Sequence, residues 1–135
     1  MMKKRLLILC TGNSCRSQMA EGIARKLYGG SWDVFSAGTH PSSVNPYAIR
    51  AMDELNIDIS THTSDSVNYY LDENIDLIIT VCDHAASNCP IFPGKTETRH
   101  WPFEDPFNAV GDDDDIMSAF RVVRDKIHDR FNAEF

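Results

Sequence analysis

Short apolar runs alternate along the chain with segments in which apolar residues recur every three or four positions. The runs predict strands, and the helical spacing predicts helices. In chain order, we predict strands at residues 6–9, 32–36, 76–81 and 98–101, and helices at residues 17–28, 45–55 and 115–131. The segment 60–73 is polar and has no clear period, and part of it is predicted to be a short helix.

This alternation indicates an α/β fold, a four-stranded parallel sheet flanked by helices on both faces. Residues 6–9 are apolar at every position, as expected of a strand that is covered on both faces. No repeat or linker divides the chain, so we expect one domain over residues 1–135. Ligands of parallel sheets bind beyond the C-terminal ends of the strands. Cys10 and Cys82 each follow a predicted strand and should share that edge.

The segment between the first predicted strand and the first predicted helix carries the strongest chemical signal. It reads Cys-Thr-Gly-Asn-Ser-Cys-Arg-Ser, from Cys10 to Ser17. The amides of such a loop and the N-terminus of the following helix converge on an anion. An arginine adds a planar set of donors for a tetrahedral oxyanion. We therefore predict an oxyanion cradle built from Thr11, Gly12, Asn13, Ser14, Cys15 and Arg16.

Cys10 lies at the base of this predicted cradle and is the candidate nucleophile. The positive field of the cradle predicts a lowered pKa for its thiol, and the Ser17 hydroxyl is expected to donate to the thiolate. The alternative is a small buried cysteine in an ordinary strand–helix turn, which the agreement of Gly12, Arg16 and the helix start makes less favoured. Cys15 is interpreted as a bystander that is open to oxidation, with an auxiliary redox role as the alternative.

Two further features belong to the same edge of the sheet. Asp105 precedes a proline in an aromatic loop, where a rigid aspartate suits a general acid that protonates a leaving oxygen. By itself, an aspartate before proline is more often a simple turn residue.

Cys82 and Cys89 are about two turns apart if their segment is helical, so a disulfide between them would require unwinding. We interpret them as a redox pair; the alternative is two small apolar residues.

Composition narrows the class of protein. A net charge of −7 argues against nucleic-acid binding, and no apolar run is long enough to cross a membrane. Lys3, Lys4 and Arg5 ahead of the first apolar run faintly imitate an export signal, but that run is too short for one. We therefore expect a cytoplasmic protein whose four cysteines are functional thiols rather than disulfides.

Residues 9–22 resemble the thioredoxin-coupled arsenate reductases, which share the low-molecular-weight protein tyrosine phosphatase fold. The resemblance continues through residues 36–38, 57–60, 80–82, 88–90 and 100–106 and so covers nearly the whole chain. The cradle alone is specific only to the superfamily. The cradle together with Cys82 and Cys89 is specific to the reductase branch.

The resemblance implies that a relay of thiols reduces arsenate to arsenite, in the service of arsenic detoxification. Cys10 attacks arsenate held by Arg16 and the loop amides, and Asp105 protonates the departing hydroxyl. Cys82 then attacks the Cys10 sulfur and releases arsenite. Cys89 attacks Cys82 in turn, and local unwinding exposes the resulting Cys82–Cys89 disulfide to thioredoxin.

The resemblance also bears on cofactors and assembly. Some relatives bind a potassium ion behind the cradle, and the matching positions here are Asn13, Glu21, Ser36 and Asp65. We expect no tightly bound cofactor other than this possible potassium ion, and a monomer.

Two other functions stay open at this point. A low-molecular-weight phosphotyrosine phosphatase needs only Cys10, Arg16 and Asp105, but it leaves the second and third thiols unexplained, and Phe107 stands where those phosphatases usually have a tyrosine. Weak activity on aryl phosphates is expected of either enzyme.

The third hypothesis is a metal-binding protein with zinc on Cys10, Cys15, Cys82, Cys89, His84 or His100, whose spacing is a weak signal. The acidic run Asp112–Asp115 is more typical of a helix start than of a cation site.

Overall fold

The computed structural model describes residues 3–135, which contain four strands and four α-helices. The strands are β1 (Lys4–Cys10), β2 (Trp32–Gly38), β3 (Leu77–Thr80) and β4 (Glu97–His100). The helices are α1 (Arg16–Tyr28), α2 (Pro46–Asp53), α3 (Asp83–Asn88) and α4 (Asp113–Glu134). Two 3₁₀-helices lie at Val67–Tyr70 and Pro106–Asn108. None of the helices in this range is both long enough and apolar enough to cross a membrane.

The four strands form one parallel sheet in the order β2-β1-β3-β4. The register pairs Cys10 with Gly38 and Thr80 with His100, so the C-terminal ends of the strands meet at one edge. The predicted α/β fold with a four-stranded parallel sheet is therefore confirmed. Because β1 is central, the loop that follows it lies at the middle of this edge.

Both faces of the sheet are covered, as the apolar first strand predicts. Leu6, Leu7, Ile8 and Leu9 are all 0% exposed, although consecutive strand residues point to opposite faces. On one face α1 contacts β1, β2 and α4. On the other, Phe35 packs against Tyr70 of the first 3₁₀-helix, with ring centroids 5.5 Å apart.

Several element boundaries differ from the predicted ones for local reasons. Helix α2 ends at Asp53 rather than at residue 55, because Asn56 takes the left-handed conformation with φ 59°. The fourth strand lies at Glu97–His100, one residue before its predicted position. The segment 60–73 contains only the 3₁₀-helix Val67–Tyr70, whose N-cap Ser66 accepts a hydrogen bond from the Asn68 amide.

Helix α4 begins two residues earlier than predicted because Asp112 caps it. The Asp112 side chain accepts from the Asp115 amide at 2.9 Å, and the Asp115 side chain accepts from the Asp112 amide at 3.1 Å. This reciprocal capping box satisfies two amides at the helix start. The acidic run is therefore the start of a helix, as the sequence favoured.

We expect Asp112→Ala to lower the free energy of unfolding by about 1 kcal/mol, since the N-cap acceptor is lost. Urea unfolding followed by circular dichroism measures the change. Asp114→Ala is the matched control, because it removes a carboxylate from the same exposed turn but no capping bond. Equal losses in the two variants would contradict the role given to the cap.

Candidate active site

The loop between β1 and α1, residues 11–15, turns its carbonyl oxygens outward. The segment 39–45 donates amide hydrogen bonds of 2.8–3.2 Å to four carbonyl oxygens of this stretch, those of Cys10, Thr11, Gly12 and Ser14. Within residues 3–135, the amides of the loop donate to no backbone carbonyl. They are therefore free to face an anion, as the predicted cradle requires.

Asn13 holds the loop from behind. Its backbone is left-handed, with φ 49°, a conformation that asparagine tolerates better than most residues. Its Nδ2 donates to the hydroxyls of Ser17 and Ser36 at 2.8 and 2.9 Å, and its Oδ1 accepts from the Asp65 amide at 3.0 Å. Asn13 is completely buried, so these bonds fix the loop against α1, β2 and the segment before the first 3₁₀-helix.

The cradle opens into a cavity of about 220 Å³ at the C-terminal edge of the sheet. The predicted residues Cys10, Thr11, Gly12, Ser14, Cys15, Arg16 and Asp105 line it, joined by Ser42 and Phe107. Gly38 lies behind the cradle, where an added Cβ would collide with the Thr11 carbonyl oxygen. The sequence reasoning missed both Gly38 and the supporting segment 39–45, since nothing in their local pattern reports a contact with the loop.

Arg16 and Asp105 meet at the mouth of this cavity. The Arg16 guanidinium lies 3.3 Å from Asp105 Oδ2, and its Nη1 donates to the Phe103 carbonyl at 3.1 Å. The Nε atom of Arg16 is buried without a partner among residues 3–135, so it remains available to an oxyanion. Asp105 keeps its place because its Oδ1 accepts from the Phe107 amide at 3.0 Å. The structure thus brings the predicted anion ligand and the predicted acid together.

The sequence predicts that the Ser17 hydroxyl donates to the Cys10 thiolate, but the structure gives this hydroxyl a different partner. It accepts a hydrogen bond from Asn13, and the structure shows no contact between it and the Cys10 thiol. Ser17 is 0% exposed and belongs to the support behind the loop. The expected donation to a Cys10 thiolate is therefore absent from this arrangement.

The Cys10 and Cys82 thiols lie near each other at the base of the cradle, close enough for each to shift the pKa of the other. Both residues are buried, with 3% and 5% of their surface exposed. Cys82 also contacts the Thr11 hydroxyl, with Oγ1 and Sγ 3.3 Å apart, and its sulfur accepts from the Ala85 amide at 3.4 Å. The sequence placed the two thiols at one edge of the sheet, and the structure brings them near each other.

This proximity changes which thiol ionises first. The hydrogen bond from Cys10, with help from Thr11, the Ala85 amide and Arg16, lowers the pKa of Cys82 to about 5. The pKa of Cys10 is raised, because Cys82 and burial outweigh the opposing effect of Arg16. The predicted lowering of the Cys10 pKa is therefore wrong for this arrangement, in which Cys82 and burial raise the pKa of Cys10 while the pKa of Cys82 is lowered.

Cys89 lies at the other end of α3. Cys82 is the N-cap of this helix and Cys89 its C-cap, which confirms a helix between the two cysteines. At the helical rise, seven residues span about 10 Å, whereas the Cα atoms of a disulfide lie about 4.4–6.8 Å apart. The half-buried Cys89 can therefore bond to Cys82 only if α3 unwinds, and all four cysteines are free in this structure.

Cys15 is a buried thiol beside the cradle rather than a reactive one. It is 2% exposed, and burial raises its pKa to about 11. Among the described residues, its thiol forms a hydrogen bond only to the Ser14 hydroxyl, at 3.9 Å. A protonated, buried thiol resists oxidation, so the bystander role is supported and the suggested sensitivity to oxidation is not.

The four residues matched to a potassium site also lie together. Ser36 donates to Glu21 Oε1 at 2.5 Å and accepts from Asn13, while Asp65 is joined to Asn13 through its amide. Glu21 and Asp65 line a cavity of about 240 Å³. Arg25 lies 3.1 Å from the second carboxylate oxygen of Glu21. The four residues thus place several oxygen atoms close together, and Arg25 neutralises part of the negative charge.

The zinc hypothesis finds no support in the described part of the chain. Among residues 3–135, no three histidine, cysteine, aspartate or glutamate side chains converge on one point in a way that would hold a metal ion. His100 instead contacts Asp83, and the ring of His84 lies 5.7 Å from that of His40.

Comparison with known proteins agrees with this site. Residues 5–133 match the family model described as low molecular weight phosphotyrosine protein phosphatase. An arsenate reductase of Halalkalibacterium halodurans is 51% identical over 133 residues, which cover 98% of this chain and 96% of that protein. Solved structures of an arsenate reductase in oxidised and in reduced states superpose with TM-scores of 0.82 and 0.79 at 34% and 37% identity. These alignments cover 96% and 98% of this chain, and 95% of each matched chain.

A thiol in an anion cradle, an adjacent arginine and an aspartate on a facing loop define a low-molecular-weight phosphatase site. The chain belongs to the low molecular weight phosphotyrosine protein phosphatase family and, within it, to the arsenate reductases.

At neutral pH we expect a single thiolate, on Cys82. The ultraviolet absorbance of this thiolate should rise as the pH increases through about 5, because a thiol is charged above its pKa. Cys10→Ala should move the transition to higher pH, since the Cys10 hydrogen bond contributes most to the lowered pKa. Cys89→Ala is the control and should leave it in place. A transition that Cys10→Ala does not move would contradict the effect of Cys10 on the pKa of Cys82.

Proposed function

We propose that this protein reduces arsenate to arsenite by passing two electrons from its own thiols to arsenic. The observation that carries the proposal is a second buried thiol beside the cradle, since the Cys82 sulfur lies 3.3 Å from the hydroxyl of Thr11, the residue after Cys10, with a third thiol at the far end of α3. Hydrolysis of a phosphate ester needs one thiol, an arginine and an acid. A second thiol near the nucleophile is what a reduction requires.

The first step is the formation of a bond between the Cys10 sulfur and arsenic. Arsenate lies in the cradle, where the loop amides and the unpartnered Nε of Arg16 hold its oxygens. As Cys10 attacks, its proton passes to the nearby Cys82 thiolate, and one arsenate oxygen departs as water. Asp105, at the mouth of the cavity, supplies the proton for that oxygen.

The second step moves the electrons. Cys82 then passes its proton to water, and Thr11, the Ala85 amide and Arg16 stabilise the thiolate that results once Cys10 is bound to arsenic. Its thiolate attacks the Cys10 sulfur, a disulfide forms, and the electron pair of the sulfur–arsenic bond stays on arsenic, which leaves as arsenite. Cys89 then attacks the Cys82 sulfur and expels Cys10 as a thiol, so that the oxidising equivalent moves to α3.

The donor that restores the thiols is proposed to be thioredoxin. A dithiol protein has to reach the Cys82–Cys89 disulfide, and the C-terminal end of α3 is the accessible end. Cys89 is half-buried, and Ile91, two residues on, is 96% exposed. An exposed apolar side chain beside a reactive disulfide suits recognition by another protein.

One assay should distinguish the roles of the cysteines in the proposed relay. We expect arsenate-dependent consumption of NADPH in the presence of thioredoxin and thioredoxin reductase. Cys10→Ser should abolish it, because no bond to arsenic forms. Cys82→Ser and Cys89→Ser should stop turnover but retain weak hydrolysis of aryl phosphates, since hydrolysis needs only Cys10, the cradle, Arg16 and Asp105. Cys82→Ser should also change the pH dependence of hydrolysis, because Cys82 raises the pKa of Cys10.

Cys15→Ser is the matched control and should retain turnover, because its thiol is buried outside the relay. Normal multiple turnover by Cys89→Ser would contradict the relay. Hydrolysis of aryl phosphates without any arsenate-dependent oxidation would instead favour the phosphatase hypothesis.

We further propose that Asn13, Glu21, Ser36 and Asp65 hold a potassium ion behind the cradle. The residues fit a monovalent cation, because they offer carboxylate, hydroxyl and amide oxygens, and Asn13 Oδ1 keeps a lone pair beside its bond to the Asp65 amide. Glu21 is 6% exposed, so water reaches its charge poorly, and Arg25 at 3.1 Å compensates this charge only in part. A cation here would stabilise the support of the loop through Asn13.

The midpoint of thermal unfolding should accordingly be higher in potassium chloride than in sodium chloride at equal ionic strength, because an ion that binds the folded state stabilises it. Asp65→Asn should remove the difference between the two salts. Asp114→Asn, an exposed carboxylate on α4, is the control and should retain it. Equal midpoints in both salts for the unaltered protein would overturn the proposal.

A further inference from the structure

Helix α3 is tied to the sheet by an imidazole that the relay does not use. His100, the last residue of β4, places its Nε2 2.9 Å from Asp83 Oδ1. Its Nδ1 lies 2.8 Å from the hydroxyl of Thr80, the last residue of β3. The neutral tautomer with its proton on Nε2 satisfies both contacts, donating to Asp83 and accepting from Thr80.

Asp83 lies next to Cys82, so its hydrogen bond to His100 acts close to a thiol of the proposed relay. It is the first residue of α3 and follows Cys82, whose sulfur caps the same helix by accepting from the Ala85 amide at 3.4 Å. Thr80 is 1% exposed and gives the imidazole a rigid anchor. The contact therefore holds the first turn of α3 in the form that keeps the Cys82 sulfur against Ala85.

Few other contacts hold α3 in place. The helix has six residues, too few to be stable alone, and Ala85 is its one buried residue. Asn88 bonds only within the helix, to His84, among the described residues. Across to the neighbouring loop, the ring of His84 lies beside that of His40. A single contact from outside the helix can thus change its stability, by a modest amount because the Asp83 side chain is 91% exposed.

We propose that His100 and Asp83 form a clasp that stabilises α3 in the reduced protein and must open when the Cys82–Cys89 disulfide forms. This inference rests on the proposed relay. The disulfide requires α3 to unwind, whereas the clasp holds its first turn to the sheet. A contact that stabilises only the dithiol form raises the reduction potential of the pair. The clasp therefore makes the enzyme disulfide easier for a dithiol donor to reduce, and His100 is a positioning residue for that step.

The test measures the equilibrium of the Cys82–Cys89 pair with glutathione buffers, using alkylation and mass spectrometry. All proteins carry Cys10→Ser, so that Cys82 has only Cys89 as its partner near α3. We expect His100→Ala and Asp83→Ala each to shift the equilibrium about threefold towards the disulfide, which is about 14 mV for a two-electron couple. The double variant should shift no further than Asp83→Ala alone, since the two residues act as one unit.

Arg99→Ala is the matched control. It breaks the 2.6 Å contact between Arg99 and Glu97 on the same strand without touching α3, and it should leave the potential unchanged. A loss of stability that is equal in the two redox forms moves no potential. Thermal unfolding of the reduced and the oxidised form of each variant therefore shows whether partial unfolding contributes to the shift. Amide exchange of α3 in the reduced protein should be faster in His100→Ala.

The outcomes separate the clasp from the relay. An unchanged potential in both single variants, or shifts that add in the double variant, would overturn the clasp alone. Failure of the Cys10→Ser protein to form any Cys82–Cys89 disulfide in oxidised glutathione would overturn the relay and the clasp together.

Discussion

The conformation of the loop between β1 and α1 determines the rest of the site. An anion can be held by backbone amides only if the carbonyls are turned away, and here the segment 39–45 satisfies those carbonyls. Asn13 adds the left-handed turn that reverses the chain, and its buried side chain ties the loop to α1 and β2. Gly38 lets the loop lie directly against β2, where a larger residue would collide with it. The nucleophile, the amides and Arg16 all take their positions from this one turn.

Two buried thiols beside one guanidinium group determine how much negative charge the site carries. A single negative charge is favourable next to Arg16, whereas a second charge in the same buried space is not. A raised pKa of Cys10 together with a lowered pKa of Cys82 satisfies this constraint, because it favours one charge on the pair. Arg16 divides its donors among the Phe103 carbonyl, Asp105 and an unpartnered Nε. An incoming oxyanion therefore meets a donor that is already desolvated, and its arrival changes the balance of charge that keeps Cys10 protonated.

The parallel four-stranded sheet and the cradle could be predicted from the chain because each has a local signature, whereas the relay of thiols was implied by the family resemblance. Apolar runs mark strands, and the Cys-x₅-Arg spacing between a strand and a helix marks an anion site. The errors arose where the deciding contact is distant in sequence. The Cys10 pKa is reversed by Cys82, and the Ser17 hydroxyl is taken by Asn13 through the turn of the loop. Gly38, Ser42 and His100 carry no signature of their own, since their roles exist only once the strands are side by side.

Cys82 caps helix α3 and is also a thiol of the proposed relay, and oxidation of its sulfur affects both functions. As the N-cap of α3, its sulfur accepts the hydrogen bond of the Ala85 amide, and a charged sulfur accepts far better than a neutral one. In the proposed relay, the same atom loses its charge when it bonds to another sulfur. The step that oxidises Cys82 therefore also weakens the cap of the helix that separates it from Cys89. Because a six-residue helix with a poor cap is unstable, the chemistry itself favours the unwinding that brings Cys89 within reach.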